Sequence, residues 1–209
     1  MRTFTIPVTP YAQNCSLICC EQSGKAAVID PGGNLELILS KARQAKVEIE
    51  KLLITHGHFD HCAAAAELAA QLGVPIEGPH FADGFLLQSI PEWCQQMGFP
   101  AGKSFTPDRW LQDGDTVQVG KMELEVIHCP GHTPGHLVFF QREQGLAFVG
   151  DVLFKGSIGR TDFPRSNHGA LIHAITRKLL PLGDDIRFIP GHGPASTFGE
   201  ERRHNPFLT

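Results

Sequence analysis

Residues His56-Gly57-His58-Phe59-Asp60-His61 crowd three imidazoles and a carboxylate into one turn-like stretch. Extended backbone alternates its side chains, so His56 and His58 project to one side and can grip one cation. Asp60 and His61 fall where the chain turns into a helix, and they suit a second cation nearby. Zinc, iron and manganese all accept imidazole and carboxylate donors. Gly57 allows the close backbone approach that such crowding requires. Three later turns extend the set. Pro130-Gly131-His132 offers His132, Gly150-Asp151 offers a carboxylate at the end of an apolar strand, and Pro190-Gly191-His192-Gly193 offers His192. The donors divide into His56, His58 and His132 for one divalent metal ion and Asp60, His61 and His192 for another. Asp151 is placed to bridge the two.

A lone histidine in a turn is usually surface polarity, and each donor taken singly carries little weight. The crowded turn is different, because ordinary packing has no use for that combination. Structural zinc sites are mostly cysteine-rich and closed, and none of the six cysteines has zinc-finger spacing. Asp30, in the Ile29-Asp30-Pro31 turn, fits either a plain turn residue or a partner that orients a ligand histidine. His136 opens a strand and reads as structural. His168 precedes a helix and reads as a cap or surface group. Phe81, Phe85 and Trp93 fit a pocket wall and the apolar face of a helix equally well.

These donors need a rigid frame, and the hydrophobic pattern supplies one. Thr3–Val8, Cys15–Cys20 and Lys25–Ile29 read as strands. A turn at Asp30–Gly33 precedes a helix from Asn34, with Leu35, Ile38, Leu39 and Ala42 at helical spacing. Lys51–Ile54 fits a buried strand. An alanine-rich helix runs from Cys62 to about Leu72, stopped by Gly73 and Pro75, with a short strand at Val74–Ile76. Phe81–Gly98 is helical but broken by Pro91. Thr116–Val119, Lys121–His128, His136–Gln141 and Gly145–Val149 form a meander. Leu171–Leu180 is helical, Ile186–Ile189 a strand and Thr197–His204 a terminal helix. Strands and helices thus recur in two similar halves, which suits two sheets packed face to face with helices outside. The turns after Ile54, Cys129, Val149 and Ile189 then open at one edge.

With 209 residues and no visible linker, the chain reads as one domain. A formal charge of -4 argues against a nucleic-acid coat. The N-terminus lacks the pattern of a signal peptide, and no apolar run approaches the roughly 18 residues of a membrane span. Scattered cysteines imply buried, reduced thiols. The expected address is the cytoplasm.

The motifs Thr55–His61, Cys129–His136, Gly150–Phe154 and Ile189–Pro194 resemble those of the metallo-β-lactamase superfamily. Within it the match is to glyoxalase II-like hydrolases, and most closely to the small bacterial YcbL subgroup. The likeness runs nearly end to end, from Pro7–Ile18 and Val28–Gly33 through Gly156–Ile175 to His204–Leu208. It implies an α/β fold, the four-layer αβ/βα sandwich, over residues 1–209. It also implies metals held by His56, His58, Asp60, His61, His132, Asp151 and His192, zinc first, with iron or manganese possible. The implied substrate is a thioester linked to glutathione, such as S-lactoylglutathione. Full-length glyoxalase II enzymes carry a helical C-terminal glutathione-binding domain. Here 17 residues follow His192 (209 minus 192), too few for one.

Two cations sharing a water make hydroxide available at neutral pH, since even one zinc can lower the pKa of its water to about 7. That hydroxide would attack a polarised carbonyl, with Asp60 both ligating and orienting it. Arg160 matches the basic position that follows the Gly-Asp turn in glyoxalase II enzymes and is expected to bind substrate. The rival within the same fold is a mononuclear iron persulfide dioxygenase, which shares the Gly159–Phe163 segment. The Ile189–Gly193 turn favours the hydrolase.

Overall fold

A computed structural model of the chain describes residues 1–208. The first sheet contains β1 (Arg2–Val8), β2 (Gln13–Cys19), β3 (Lys25–Ile29), β4 (Glu48–Leu53) and β5 (Ile76–Glu77), in that order. β1, β2 and β3 pair antiparallel, as short turns permit. β3, β4 and β5 are parallel. Their crossovers are helical: α1 (Leu35–Ala45) joins β3 to β4, and α2 (Phe59–Cys62) with α3 (Ala65–Leu72) joins β4 to β5. Next come α4 (Gly84–Gln88) and α5 (Ile90–Met97).

The second sheet has the order β13-β12-β9-β8-β7-β6. Its meander is β6 (Thr116–Val119), β7 (Met122–His128), β8 (Leu137–Gln141) and β9 (Leu146–Gly150). The small hairpin β10 (Leu153–Phe154) and β11 (Ser157–Ile158) follows, then α6 (His168–Ala174). β12 (Arg187–Pro190) returns parallel to β9, and β13 (Ser196–Thr197) pairs with it before α7 (Phe198–His204).

Three apolar layers hold these elements together. Leu17, Val28 and Leu52 pack outward from the first sheet against Ile38 and Leu68 of its helices. Ile18, Ala27 and Leu53 face inward and meet Leu124, Val126 and Phe139 of the second sheet. Phe140, Val149 and Phe188 pack outward on Leu171, Ile175 and Phe198. Neighbours such as Phe139 and Phe140 therefore serve different layers, as the two-residue period of a strand demands. Both faces of the inner strands β2, β3, β8 and β9 are covered, which explains why they read as continuous apolar runs, whereas β6 alternates. The result is the expected αβ/βα sandwich.

Some boundaries differ from the sequence reading. The alanine-rich helix is two pieces, because Asp60 and His61 start a separate turn before Ala63 and Ala64. The stretch from Phe81 breaks at Ser89, whereas Pro91 lies in the first turn of α5, where a missing N–H costs nothing. The strand expected at Val74–Ile76 starts at Ile76, since the Val74 N–H closes the end of α3 on Ala69. The helix before β12 begins at His168, capped by Asn167 on Ala170, and its last turn is a π-helix at Ile175–Leu179. The six cysteines are buried and free. Among the described residues, no helix is long and apolar enough to cross a membrane.

Candidate metal centre

The turns that carry the donors follow β4, β7, β9 and β12, and they meet at one edge of the sandwich. His56, His58 and His132 form one cluster; Asp60, His61 and His192 form another. In the first, Nδ1 of His58 faces Nε2 of His56 at 3.1 Å and Nε2 of His132 at 3.0 Å. The outer nitrogens are occupied. Nδ1 of His132 donates to the Arg160 carbonyl at 2.8 Å, which fixes the tautomer and turns its Nε2 lone pair inward. Nδ1 of His56 meets the Thr55 hydroxyl at 3.0 Å.

The second cluster is oriented in the same way. Nδ1 of His61 contacts Oδ2 of Asp30 at 2.9 Å, so Asp30 is the orienting partner rather than a plain turn residue. Asp30 also accepts from the N–H and hydroxyl of Thr55, and thereby supports the first cluster. Nε2 of His192 lies 3.2 Å from Oδ2 of Asp60. Asp151 sits between the clusters: Oδ1 is 3.4 Å from Nε2 of His61, and Oδ2 is 3.7 Å from His132 and 3.8 Å from His192. Gly191 is required here, since a Cβ would collide with the Asp151 carboxylate.

The chain matches a known family. A model described as the metallo-beta-lactamase superfamily matches residues 8–192. The chain belongs to the metallo-β-lactamase superfamily. It is 48% identical over 204 residues to "Hydroxyacylglutathione hydrolase GloC" of Haemophilus influenzae, covering 97% of this chain and 96% of that one. Among solved structures it is similar to TTHA1623 in a di-iron-bound form, with a TM-score of 0.89, 36% identity, and 98% and 100% of the two chains covered. BLEG-1, described as a B3 metallo-beta-lactamase, superposes with a TM-score of 0.91 at 31% identity over the whole of both chains. The protein is thus a metallohydrolase of this superfamily, which binds divalent metals.

The superfamily's metals suit the residues present. Nε2 of His61 and Oδ1 of Asp151 are buried without a hydrogen-bond partner, a costly state that a cation between them would relieve. Three imidazole nitrogens converging on one point can likewise hold a cation in their midst. Burial lowers the pKa of His56, His58 and His132, that of His58 to about 3, so all three present neutral lone pairs. His61 goes the other way: burial opposes its charge, but Asp151 and Asp60 outweigh it and hold the pKa well above the usual imidazole value. His192 is also raised, because the Asp60 hydrogen bond and the Asp151 charge overcome its burial. Burial likewise opposes ionisation of Asp151, yet His61, His132 and His192 hold it well below the usual carboxylate range.

His136 is not among the clustered donors, as its strand position implied. Its Nε2 accepts the Asp151 N–H at 3.0 Å. Arg160 lies beside the first cluster but points outward. Its guanidinium pairs with both carboxylate oxygens of Asp162 and rests 4.7 Å from the Phe163 ring centroid. Phe163 in turn meets His58 and His132 edge to face, with centroids 4.9 and 5.6 Å away. Phe85 carries Arg165 at 4.1 Å, while Phe81 and Trp93 are exposed. His168 is exposed, and Asn167 caps the helix in its place.

Sequence reasoning passed over Asp83, which is fully buried. Its carboxylate accepts from the Gly57 N–H at 3.0 Å, the Thr133 hydroxyl at 2.7 Å and the Gly135 N–H at 2.5 Å. Those partners are 26, 50 and 52 residues away, so no local pattern could have marked it.

Proposed function

We propose that the protein hydrolyses thioesters, specifically S-acylglutathione compounds such as S-lactoylglutathione. It would do so with two divalent ions held by His56, His58, Asp60, His61, His132, Asp151 and His192. The observation that carries this reading is the presence of two donor clusters with the Asp151 carboxylate between them. The named activity of the Haemophilus relative supports the substrate class, and the di-iron relative supports a pair of ions. Zinc and manganese fit the same donors.

Bound there, divalent cations supply hydroxide at neutral pH and Lewis-acid polarisation of the thioester carbonyl. The chain's own residues do the rest. Asp60, buried beside His192, accepts a hydrogen bond from the attacking water and orients it as the catalytic carboxylate. Asp30 and the Arg160 carbonyl hold His61 and His132 in single tautomers. Phe163 shields the face of His58 and His132 from bulk water. A thiolate leaves without strong general-acid assistance. Arg160, next to Phe163, binds a carboxylate of the glutathione portion.

The substrate is a small molecule, and the net charge of -4 offers nothing general to nucleic acid. Six free, buried cysteines suit the reducing cytoplasm. The test is an anaerobic assay of metal-loaded protein with S-lactoylglutathione. Release of free thiol without oxygen is expected. No release, together with oxygen uptake on glutathione persulfide, would replace this reading with the iron dioxygenase.

A further inference from the structure

The donors of the first cluster come from two turns that share no strand pairing, with His58 and His132 74 residues apart in sequence. Something must set the distance between those turns, and the Asp83 side chain contacts both. Its Oδ2 takes the N–H of Gly57, the residue between His56 and His58, and also the hydroxyl of Thr133, the residue after His132. Its Oδ1 takes the N–H of Gly135 in that same turn. The approach is close: a Cβ on Gly135 would stand 2.7 Å from Cγ of Asp83.

Two further observations separate this from ordinary capping or packing. Asp83 occupies the N-cap of α4, where an aspartate normally accepts from its own helix, yet its side chain makes no capping bond. Both oxygens are instead directed to the two turns. A buried carboxylate is also costly compared with an apolar side chain of the same size, so packing alone gives no reason for it.

We propose that Asp83 is a positioning residue for the first metal ion, holding the His56–His58 turn and the His132 turn at ligating distance without touching the ion. The proposal rests on the metal assignment above, and the test separates the two. Asp83→Asn keeps the volume but replaces one oxygen with an NH2 group. Three donors then face one amide oxygen and an NH2 group, so at least one of the three contacts that tie the turns together is lost.

Metal-free protein would be titrated with Co(II) against a chelating indicator, with the visible spectrum followed, in two backgrounds. His192→Ala disables the second cluster and His132→Ala the first. Asp83→Asn is expected to weaken the remaining ion by about 10–100-fold in the His192→Ala background, the range found when partners of metal ligands are removed. In the His132→Ala background it should leave affinity within about twofold. Equal weakening in both backgrounds, or none in either, overturns the positioning role. Protein with Asp83 intact that never takes up a second ion overturns the two-metal reading instead. If circular dichroism shows that Asp83→Asn does not fold, Thr133→Val, which deletes only the hydroxyl contact, is read by the same criteria.

Discussion

The backbone N–H of Asp151 donates to Nε2 of His136 across 3.0 Å, and both residues are buried. This bond ties the end of β9 to the start of β8, immediately behind the candidate bridging carboxylate. The His136 ring also stacks on His56, with centroids 4.5 Å apart and planes 17° from parallel. The histidine that never reaches the metal cluster therefore backs both a donor of the first cluster and the carboxylate between the clusters.

Replacing His136 with Leu should leave the Asp151 N–H buried and unpaired. A loss of about 1–3 kcal/mol is expected for that alone. Urea unfolding of metal-free protein measures it, and a midpoint unchanged from the parent would show that the bond contributes nothing.

Asp151→Ala should abolish nearly all thioester hydrolysis and lower the metal content of purified protein, while the far-ultraviolet circular dichroism stays native. The carboxylate serves both clusters, whereas the apolar layers that stabilise the sheets lie elsewhere. Turnover close to that of the parent would show that Asp151 is not the bridge.

Acidification should empty the two clusters in order. His61 and His192 have pKa values raised above the usual imidazole value of 6.5, so in metal-free protein they are already taking up protons as pH falls toward neutrality. Protons then compete with metal at Asp60, His61 and His192. The pKa values of His56, His58 and His132 are lowered, those of His56 and His58 strongly, and these residues resist protonation until the pH lies below 6.5. Elemental analysis after dialysis at stepped pH should pass from two ions to one before reaching none. Simultaneous loss of both would contradict the order.

Arg160→Ala should lower kcat/KM for S-lactoylglutathione about tenfold, near 1.4 kcal/mol, and mostly through KM. The guanidinium is 70% exposed and already paired with Asp162, so only part of a charge-assisted bond is gained on binding substrate. A short thioester without carboxylates should be indifferent to the change. An equal fall in kcat on both substrates would mean that the Arg160 side chain instead supports the histidines through the Phe163 ring it rests on.

Much of this was legible because it is local. Apolar runs mark strands covered on both faces, alternation marks strands covered on one, and turn residues mark where strands stop. All are properties of short segments, so β3 and β6 match their expected spans. Donor chemistry is local as well: the Gly-His and Gly-Asp turns name the donors before any distance is known. Boundaries failed where the rules at helix ends were misapplied. Pro91 was tolerated in the first turn of α5, and the chain broke one residue ahead of that helix.

By itself the sequence determined the donor types, the strand and helix pattern and the turns that would meet at one edge. The tertiary structure alone decided which nitrogen of each histidine faces inward, because that depends on partners such as Asp30 and the Arg160 carbonyl. It alone directed His136 toward Asp151. It alone brought Asp83 to two turns far along the chain. The physical reason is the same in each case. A residue's chemistry travels with its side chain, but hydrogen-bond partners are assigned by strand register and layer packing, which no short segment contains.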